Sequence, residues 1–294
     1  MIIDAHHHLW DPADRPYPWM DDSVAAIDRR FDVDDLRAAR ADTDVTATIV
    51  VQAVHDEDET AFLLAQPAPV VGVVGWVDLT APDVADRLAL LLGDGSAREA
   101  AGSATRPLVP TAPALVGIRH QAQDEPDPDW LARPDVVRGV RAVAAAGLTY
   151  DLLVRAREHP AALALVDAVP EGRFVLDHAG KPDIAAGDNG WRQRMADLAE
   201  RPNVVCKVSG LLTEAGPDWR ERPVARYARE VVEVFGPDRS AFGSDWPVST
   251  LATDYAEVLG TTQDALADLS DADRDAVFRG TAVRTYLAPR GIET

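Results

Sequence analysis

Short apolar runs alternate along the chain with longer stretches of mixed polarity. Eight of these runs have the length of a strand, and the β-branched run at 45–53 is typical of a strand buried on both faces. One predicted strand lies within the first ten residues and carries the histidines, and the others are residues 45–53, 70–78, 115–119, 148–154, 174–178, 204–208 and 241–245. The segments between them predict helices at 32–40, 56–66, 82–92, 130–146, 160–169, 191–200, 224–235 and 255–266, followed by a last helix at 272–286.

Regular alternation of strand and helix indicates parallel βα units, because parallel neighbours need a crossover connection. We predict an α/β fold, a closed (β/α)8 TIM barrel formed by residues 1–294 as a single domain, with the extra C-terminal helix packed on its outside. A doubly wound open sheet is the alternative. The sequence has no Gly-rich phosphate loop after the first strand and no Walker-type motif, so it predicts neither dinucleotide nor nucleoside triphosphate binding.

Two segments lack apolar periodicity. Residues 93–114, between the third helix and the fourth strand, are rich in Gly, Ala, Ser, Thr and Pro and predict a flexible insert. Because the insert joins a helix to the next strand, we expect it on the amino-terminal face of the barrel, away from the chemistry. Residues 10–22 are Pro-rich and predict a long loop, and such loops in compact domains usually serve a function.

Composition and charge restrict the classes of molecule that the protein is expected to bind. The formal net charge of −20 argues against nucleic acid and anionic membrane surfaces, which both select basic faces. No signal-peptide pattern is seen, so we expect a cytoplasmic protein whose partner is a small-molecule substrate, with homo-oligomerisation left open. The single cysteine, Cys206, excludes a zinc site built from cysteines, and its apolar surroundings predict a buried strand residue.

The first strand ends in three consecutive histidines. Positions separated by two share a face of a strand, so His6 and His8 should point together and His7 the other way. Two imidazoles buried side by side need a metal ion, a proton or a substrate oxygen between them. The alternative interpretation is a tag remnant or a set of surface histidines.

Ionisable residues recur at the predicted carboxyl ends of five strands. Because a TIM barrel carries its active site at these ends, the side chains should meet at one mouth. They are His6 and His8, Arg119 and His120, Asp177 and His178, Lys207 and Ser209, and Ser244 and Asp245.

These residue types suit hydrolysis. Three of the histidines with Asp245 could hold one divalent ion, and a water bound to that ion or to Asp245 becomes a usable nucleophile near neutral pH. Other side chains could stabilise an oxyanion or bind a carboxylate. The predicted ligands are His6, His8, His178 and Asp245, and the predicted oxyanion groups are Arg119, His120 and Lys207. No Gly-x-Ser-x-Gly elbow is present, which disfavours an acyl-enzyme on serine.

Several further side chains could contact substrate. Aromatic rings near predicted strand ends could stack on a sugar ring, although ordinary packing of the barrel rim is an equally good interpretation. These rings are Trp10, Trp19, Trp76 and Trp246. Lys181 could bind substrate or pair with a neighbouring acid, Glu125 could hold Arg119 in place, and His55 could touch substrate or lie on the surface.

The chain resembles the amidohydrolase-2 group of the amidohydrolase superfamily, TIM-barrel hydrolases that include sugar-acid lactonases and pyrone-dicarboxylate lactonase. The likeness runs nearly end to end. It is carried by Ile3-Asp-Ala-His-His-His-Leu-Trp10, Val51-Gln-Ala53, Gly117-Ile-Arg-His120 with Glu125-Pro-Asp-Pro-Asp-Trp-Leu131, Val175-Leu-Asp-His-Ala-Gly-Lys-Pro182, Lys207-Val-Ser-Gly-Leu211 and Phe242-Gly-Ser-Asp-Trp-Pro247.

The resemblance implies roles for the matching residues. His6 and His8 correspond to the metal ligands of the first strand, His178 to the histidine of the sixth, and Asp245 to the aspartate that takes the proton of the attacking water. The fifth strand, Tyr150-Asp-Leu-Leu153, holds no histidine, and the fourth ends in Arg119 rather than a bridging lysine. The expected cofactor is therefore one divalent ion, zinc in the first instance, or none.

The function expected from these residues and this likeness is hydrolysis of an aldonolactone such as L-fucono- or L-rhamnonolactone. In that reaction Asp245 activates the water, while Arg119, His120 and His178 assist, and the substrate contacts come from Trp10, Trp76, Lys181, Lys207 and Trp246. A metal-dependent decarboxylase of a hydroxybenzoate-like acid is the alternative from another reaction class. A barrel that only binds a sugar acid is a third hypothesis, against which the four intact predicted ligands argue.

Overall fold

The computed structural model describes residues 1–93, 112–187 and 190–292. Eight parallel strands pair in chain order, each with its neighbour in sequence. They are β1 Ile2–His7, β2 Val45–Val51, β3 Val70–Gly75, β4 Ala114–His120, β5 Thr149–Leu152, β6 Arg173–Leu176, β7 Val204–Val208 and β8 Ser240–Phe242. The predicted (β/α)8 barrel is confirmed. The doubly wound alternative is wrong, because that fold reverses its strand order at a switch point.

The helices lie between the strands and after the last one. They are α1 Val33–Ala39, α2 Glu57–Leu64, α3 Val84–Leu91, α4 Pro134–Ala145, α5 His159–Ala168, α6 Trp191–Ala199, α7 Leu211–Glu214, α8 Val224–Phe235, α9 Tyr255–Ala265 and α10 Asp271–Asp275. Asp32 caps α1 in a reciprocal capping box with Asp35. The helix predicted at 130–146 begins only at Pro134, because proline lacks an N–H and fits the first turn of a helix.

Backbone hydrogen bonds join the two strands at the ends of the order, β1 and β8. The backbone N–H of Asp245 donates to His6 O at 2.8 Å, and that of His8 donates to Trp246 O at 2.7 Å. Both bonds lie just beyond or at the strand ends. The closure of the barrel therefore brings the histidines of the first strand against the aspartate that follows the last.

Two buried apolar clusters support the barrel. The larger contains strand residues packed against the helices, among them Val50, Leu165 and Val231. The smaller consists of strand residues such as Ile3 and Val116 together with Tyr286 and Leu287. The last helix was predicted to pack on the outside, and this is wrong in its final part, since the ring of Tyr286 joins strand side chains and is 1% exposed.

The C-terminal segment also differs from the single helix predicted at 272–286. Regular α-helix ends at Asp275, and two wide helical turns follow at Ala276–Gly280 and Val283–Leu287. Of the insert predicted at 93–114, residues 94–111 lie outside the described residues. Across the described ranges, every helix is too short or too polar to cross a bilayer.

Candidate active site

The first-strand histidines lie as the strand period predicts. The Nε2 atoms of His6 and His8 are 3.2 Å apart, whereas the ring of His7 turns away to the Thr48 hydroxyl, with His7 Nε2 2.9 Å from Thr48 Oγ1. All three rings are buried, which excludes the interpretation as a tag remnant or surface histidines. His6 and His8 therefore present two nitrogens to one point at the carboxyl end of the barrel.

The carboxylate of Asp245 stands among three imidazoles. Its Oδ1 lies 3.8 Å from His6 Nε2, 3.6 Å from His8 Nε2 and 3.8 Å from His178 Nε2. Asp245 and His178 both have left-handed backbone conformations, with φ of 58° and 52°. Such strain in residues other than glycine persists only when the surroundings impose it, and it concentrates at functional sites.

Hydrogen bonds fix two of the rings. His8 Nδ1 lies 2.7 Å from the Val51 carbonyl, which can only accept, so the neutral ring carries its proton on Nδ1 and a lone pair on Nε2. His178 Nδ1 is 2.9 Å from the Ser209 hydroxyl. Gly210 leaves room for this ring, because a Cβ at that position would lie 2.8 Å from His178 Nδ1.

Beneath His6 lies a buried group of charges. The Lys207 ammonium donates to Asp151 Oδ2 at 2.6 Å and lies 2.9 Å from Asp177 Oδ1 and 3.0 Å from His6 Nδ1. Tyr286 also donates to Asp151 Oδ2, at 2.6 Å. Lys207 was predicted to bind substrate, but its side chain is fully buried among these partners, an arrangement that favours a structural and electrostatic role beneath His6. Asp151 and Tyr286 were not anticipated, because nothing local in the sequence marks a partner this distant along the chain.

Arg119 connects the buried charges to the mouth. One nitrogen, Nη1, lies 3.0 Å from Asp177 Oδ2 and 3.3 Å from His6 Nε2, and Nη2 donates to the Gln52 carbonyl. The guanidinium Nε is buried and has no hydrogen-bond partner in the described structure. Asp177 and Gln52 therefore position Arg119, and the expectation that Glu125 holds it is wrong.

His120 belongs to an aromatic stack beside the mouth. Its ring lies 3.8 Å from that of Trp130 and 3.9 Å from that of His55, measured between centroids. The Trp76 indole donates to His120 Nδ1 at 3.2 Å, and His120 Nε2 lies 2.8 Å from Glu125 Oε1. Both ring nitrogens are thus engaged within the protein, and His120 is absent from the residues that line the central cavity, so its predicted catalytic role stays a prediction. The same bond occupies the Trp76 indole N–H, and Trp76 does not line the central cavity described below.

This stack also contains a group that resembles a metal site. Ligand atoms of His55, His120 and Glu125 all lie within 4.8 Å of one another. Because His120 Nδ1 accepts a hydrogen bond from Trp76, the neutral His120 ring carries its proton on Nε2, facing Glu125. The ring then has no free lone pair for a cation. The nitrogen His55 Nε2 accepts from the backbone of Gln121 at 3.1 Å. The bonding pattern is that of a neutral hydrogen-bonded stack.

Two predicted substrate-stacking rings are part of the packing instead. Trp10 is 1% exposed, and its indole donates to the carbonyls of Ile27 and Arg29. Trp246 is 3% exposed and meets Phe31 edge to face. Neither lines the central cavity, which favours the alternative interpretation that they pack the barrel rim. Trp19 does line it, with its indole N–H bound to the Ala53 carbonyl at 2.7 Å.

Burial controls the protonation of the site. It lowers the pKa of His8 to about 3 and that of His178 to about 4, and it lowers the pKa of His6 well below its usual value. Burial also raises the pKa of Asp245. Near neutral pH the three imidazoles are therefore neutral, and Asp245 is a stronger base than an exposed carboxylate.

A central cavity of about 280 Å³ opens above these residues. Among the predicted site residues, its walls include His8, Arg119, His178, Lys181 and Asp245. Polar residues that were not predicted also line it, namely Gln121, Gln123, Asp124, Arg155, Thr213 and Glu214. They come from the loops after β4 and β5 and from α7, where no motif in the sequence indicates which side chains turn inward.

The donor set around Asp245 fits a single divalent ion. Ligand atoms of His6, His178 and Asp245 all lie within 4.8 Å of one another, and His8 Nε2 adds a lone pair beside His6 and Asp245. A tetrahedral site with bonds of about 2.1 Å has edges of about 3.4 Å, close to these separations. Asp177 Oδ1 lies 3.3 Å from His6 Nδ1 and can accept a hydrogen bond from that nitrogen when it carries the ring proton, which leaves the lone pair of His6 on Nε2.

Comparisons with known proteins relate this chain to hydrolases. The profile of the amidohydrolase family matches residues 3–287. The L-fucono-1,5-lactonase of Burkholderia ambifaria is 38% identical over 296 residues, covering 98% of this chain and 96% of that protein. The L-rhamnono-gamma-lactonase of Scheffersomyces stipitis is 24% identical over 58% of each chain.

Solved structures agree with the sequence relatives. A crystal structure of an amidohydrolase from Burkholderia multivorans with bound zinc is 37% identical, has a TM-score of 0.82 and covers 97% of this chain and 99% of that one. A second crystal form of an amidohydrolase from the same organism, with bound HEPES, has a TM-score of 0.85 over the same shares. The likeness therefore extends over the whole barrel.

Proposed function

The chain belongs to the amidohydrolase family, and on that basis we propose that it hydrolyses the lactone of a sugar acid, with Asp245 as the base that activates water. The observation that carries the proposal is the position of Asp245. This carboxylate, of raised pKa, borders the cavity within 4 Å of three neutral imidazoles. A base so placed can take a proton from a water held beside it.

The reaction needs few groups. Asp245 removes a proton from water while the water oxygen attacks the acyl carbon of the lactone, and the carbonyl oxygen becomes an oxyanion. Arg119, which lines the cavity and carries a fixed positive charge, is the cation placed to stabilise that oxyanion. Collapse of the intermediate breaks the bond to the ring oxygen, which takes the proton held by Asp245 and leaves as a hydroxyl of the opened acid.

His6, His8, His178 and Asp245 would hold the divalent ion that the donor set fits. Zinc is the ion we propose, because neutral imidazoles with one carboxylate suit it and the crystal structure of a Burkholderia multivorans amidohydrolase, 37% identical to this chain, contains zinc. When bound, the ion supplies a Lewis acid that polarises a carbonyl and lowers the pKa of water. Ser209 and Val51 keep the His178 and His8 rings in place whether or not the ion is present.

A neutral aldonolactone is the substrate class we propose. The relatives at 38% identity from Burkholderia ambifaria and Burkholderia multivorans are both L-fucono-1,5-lactonases. The charges that line the cavity balance, with three cationic residues, Arg119, Arg155 and Lys181, and three acidic ones, Asp124, Glu214 and Asp245. A balanced lining favours a neutral ring with hydroxyl groups over a substrate that carries several carboxylates.

A pH-indicator assay tests the proposal directly. Purified protein is assayed on L-fucono-1,5-lactone, L-rhamnonolactone and other aldonolactones, beside Asp245→Asn and with the metal content of each sample measured. We expect turnover of one sugar series and a loss of about 10²- to 10⁴-fold in the variant, the range credited to a general base. Wild-type protein that leaves every lactone intact while releasing carbon dioxide from a hydroxybenzoate would instead establish decarboxylation.

A further inference from the structure

We propose that Glu214 determines substrate specificity by accepting hydrogen bonds from adjacent hydroxyl groups of the lactone ring. This inference rests on the proposed lactonase function. It gives a role in specificity to a residue that belongs to none of the sequence motifs and that the reaction itself does not require. Glu214 is the last residue of the short helix α7, which follows β7, and it lines the cavity.

Glu214 lies between two cations from different loops. Its Oε1 is 3.5 Å from Lys181 Nζ, in the loop after β6, and its Oε2 accepts from Arg155 Nη1 at 3.2 Å, in the loop after β5. The Glu214 side chain is 14% exposed, that of Lys181 is 16% exposed and that of Arg155 is 53% exposed. The ion pair with the solvated Arg155 adds little stability, and the contact with Lys181 is long, so holding these loops together is not enough to explain a carboxylate at this position.

The carboxylate retains unused capacity to accept hydrogen bonds. An ionised carboxylate offers about four acceptor sites, and the contacts with Arg155 and Lys181 occupy one site on each oxygen. The neighbouring Thr213 hydroxyl is buried and has no partner in the described part of the chain. Hydroxyl groups on adjacent ring carbons can donate to the two oxygens of one carboxylate, and hydrogen bonds to a charged acceptor are the strong ones.

The other residues of the cavity wall offer few other ways to bind the ring. Trp19, Val248 and Leu251 give an apolar surface that can take a carbon face of a ring but cannot bind its hydroxyl groups. Lys181 and Arg155 are both paired with Glu214, so neither is a free cation for a carboxylate substituent. On the side of the cavity formed by α7, Glu214 is therefore an acceptor for a neutral polyhydroxylated ring, across from Gln121, Gln123 and Asp124, and it repels a ring that carries a carboxylate near it.

Comparing two lactones in one variant tests this role. Glu214→Ala is assayed on L-fucono-1,5-lactone, which carries ring hydroxyls, and on δ-valerolactone, which has none and is followed as substrate or as competitive inhibitor. We expect kcat/KM on the first to fall about 10- to 100-fold, mainly through KM, and binding or turnover of the second to stay within about twofold. Glu214→Gln keeps the size of the side chain and should show a smaller loss of the same selective kind.

Glu233→Ala is the matched control, because Glu233 also pairs with an arginine, Arg192, but lies on α8 outside the cavity. This variant should keep the wild-type kinetics on L-fucono-1,5-lactone and the wild-type binding or turnover of δ-valerolactone. Equal losses on both lactones in the Glu214 variants would assign the residue to loop positioning, and unchanged kinetics would remove it from the site, so either result overturns the inference. Wild-type protein that neither hydrolyses nor is inhibited by either lactone would instead overturn the proposed function itself.

Discussion

Asp4 and Ser244 share two hydrogen bonds that join the first strand to the residues after the last. The backbone N–H of Ser244 donates to Asp4 Oδ1 at 2.9 Å, and its hydroxyl donates to Asp4 Oδ2 at 2.6 Å. The backbone N–H of His6 and the Tyr255 hydroxyl donate to the same carboxylate, at 3.0 and 2.8 Å. Asp4 is fully buried, and these four donors from the protein occupy the acceptor sites of its carboxylate beside the active site.

Replacing Asp4 should therefore loosen the barrel where His6 and Asp245 meet. In Asp4→Asn an amide nitrogen cannot accept, so the donors on one side lose their partner. We expect the free energy of unfolding in urea to fall by about 3 kcal/mol, since hydrogen bonds to charged groups contribute about 1.5–3 kcal/mol each. Tyr255→Phe removes a single donor and should cost about half as much. Wild-type stability and turnover in Asp4→Asn would contradict this role.

The proposed ion predicts a defect in metal binding that does not depend on turnover. His8→Gln removes one lone pair from the donor set, and we expect zinc affinity, measured by titration calorimetry, to fall at least about tenfold. His159→Gln serves as control, because His159 lies at the start of α5, away from the central cavity, with its Nε2 3.7 Å from Asp197. Equal zinc affinity in wild type and His8→Gln would exclude His8 as a ligand.

Gly210 offers a way to displace His178 without altering any polar group. Its φ is +66°, and an added Cβ would lie 2.8 Å from His178 Nδ1. Gly210→Ala should cost about 1–2 kcal/mol of stability from the left-handed backbone alone and should lower kcat as the ring moves away from Asp245. Gly216→Ala is the matched control, because Gly216 also has a positive φ, +79°, but has nothing within 4 Å of an added Cβ. Similar kcat in both variants would mean that the position of His178 does not matter.

The buried side chain of Glu59 should make the free energy of unfolding depend on pH. Burial raises its pKa from 4.5 to about 7, and its Oε2 accepts from the backbone N–H groups of Ala53 and Val54 at the end of β2. Between these pH values the folded protein keeps a proton that the unfolded chain has released. This group therefore makes the free energy of unfolding fall as pH rises from about 4.5 to 7, by up to about 3 kcal/mol.

Urea unfolding of Glu59→Gln at pH 5 and pH 7.5 measures this contribution. The amide oxygen can still accept from both N–H groups but does not titrate, so the fall in stability between the two pH values should be smaller than in wild type. Asp58→Asn, which changes an exposed neighbour, should keep the wild-type slope. Identical slopes in Glu59→Gln and wild type would show that Glu59 is ionised in the folded protein throughout.

The pattern of apolar runs was sufficient to predict the barrel, because strands covered on both faces and separated by helices have few parallel solutions. The strand period was also sufficient to place His6 beside His8 and to turn His7 away. The placement of His178, Arg119 and Asp245 at predicted strand ends was sufficient to predict that they share one cavity. These features depend on local geometry that repeats along the chain.

What the sequence could not decide is the direction in which long side chains turn at the same strand ends. Lys207 points below the site because two carboxylates neutralise its charge there, those of Asp151 on β5 and of Asp177 just after β6. His120 turns aside because Trp76, Trp130 and Glu125 surround it. The inward residues of the loops, Glu214 among them, are likewise set by neighbours from other loops. A buried charge follows its partners, and those partners become neighbours only when the barrel closes.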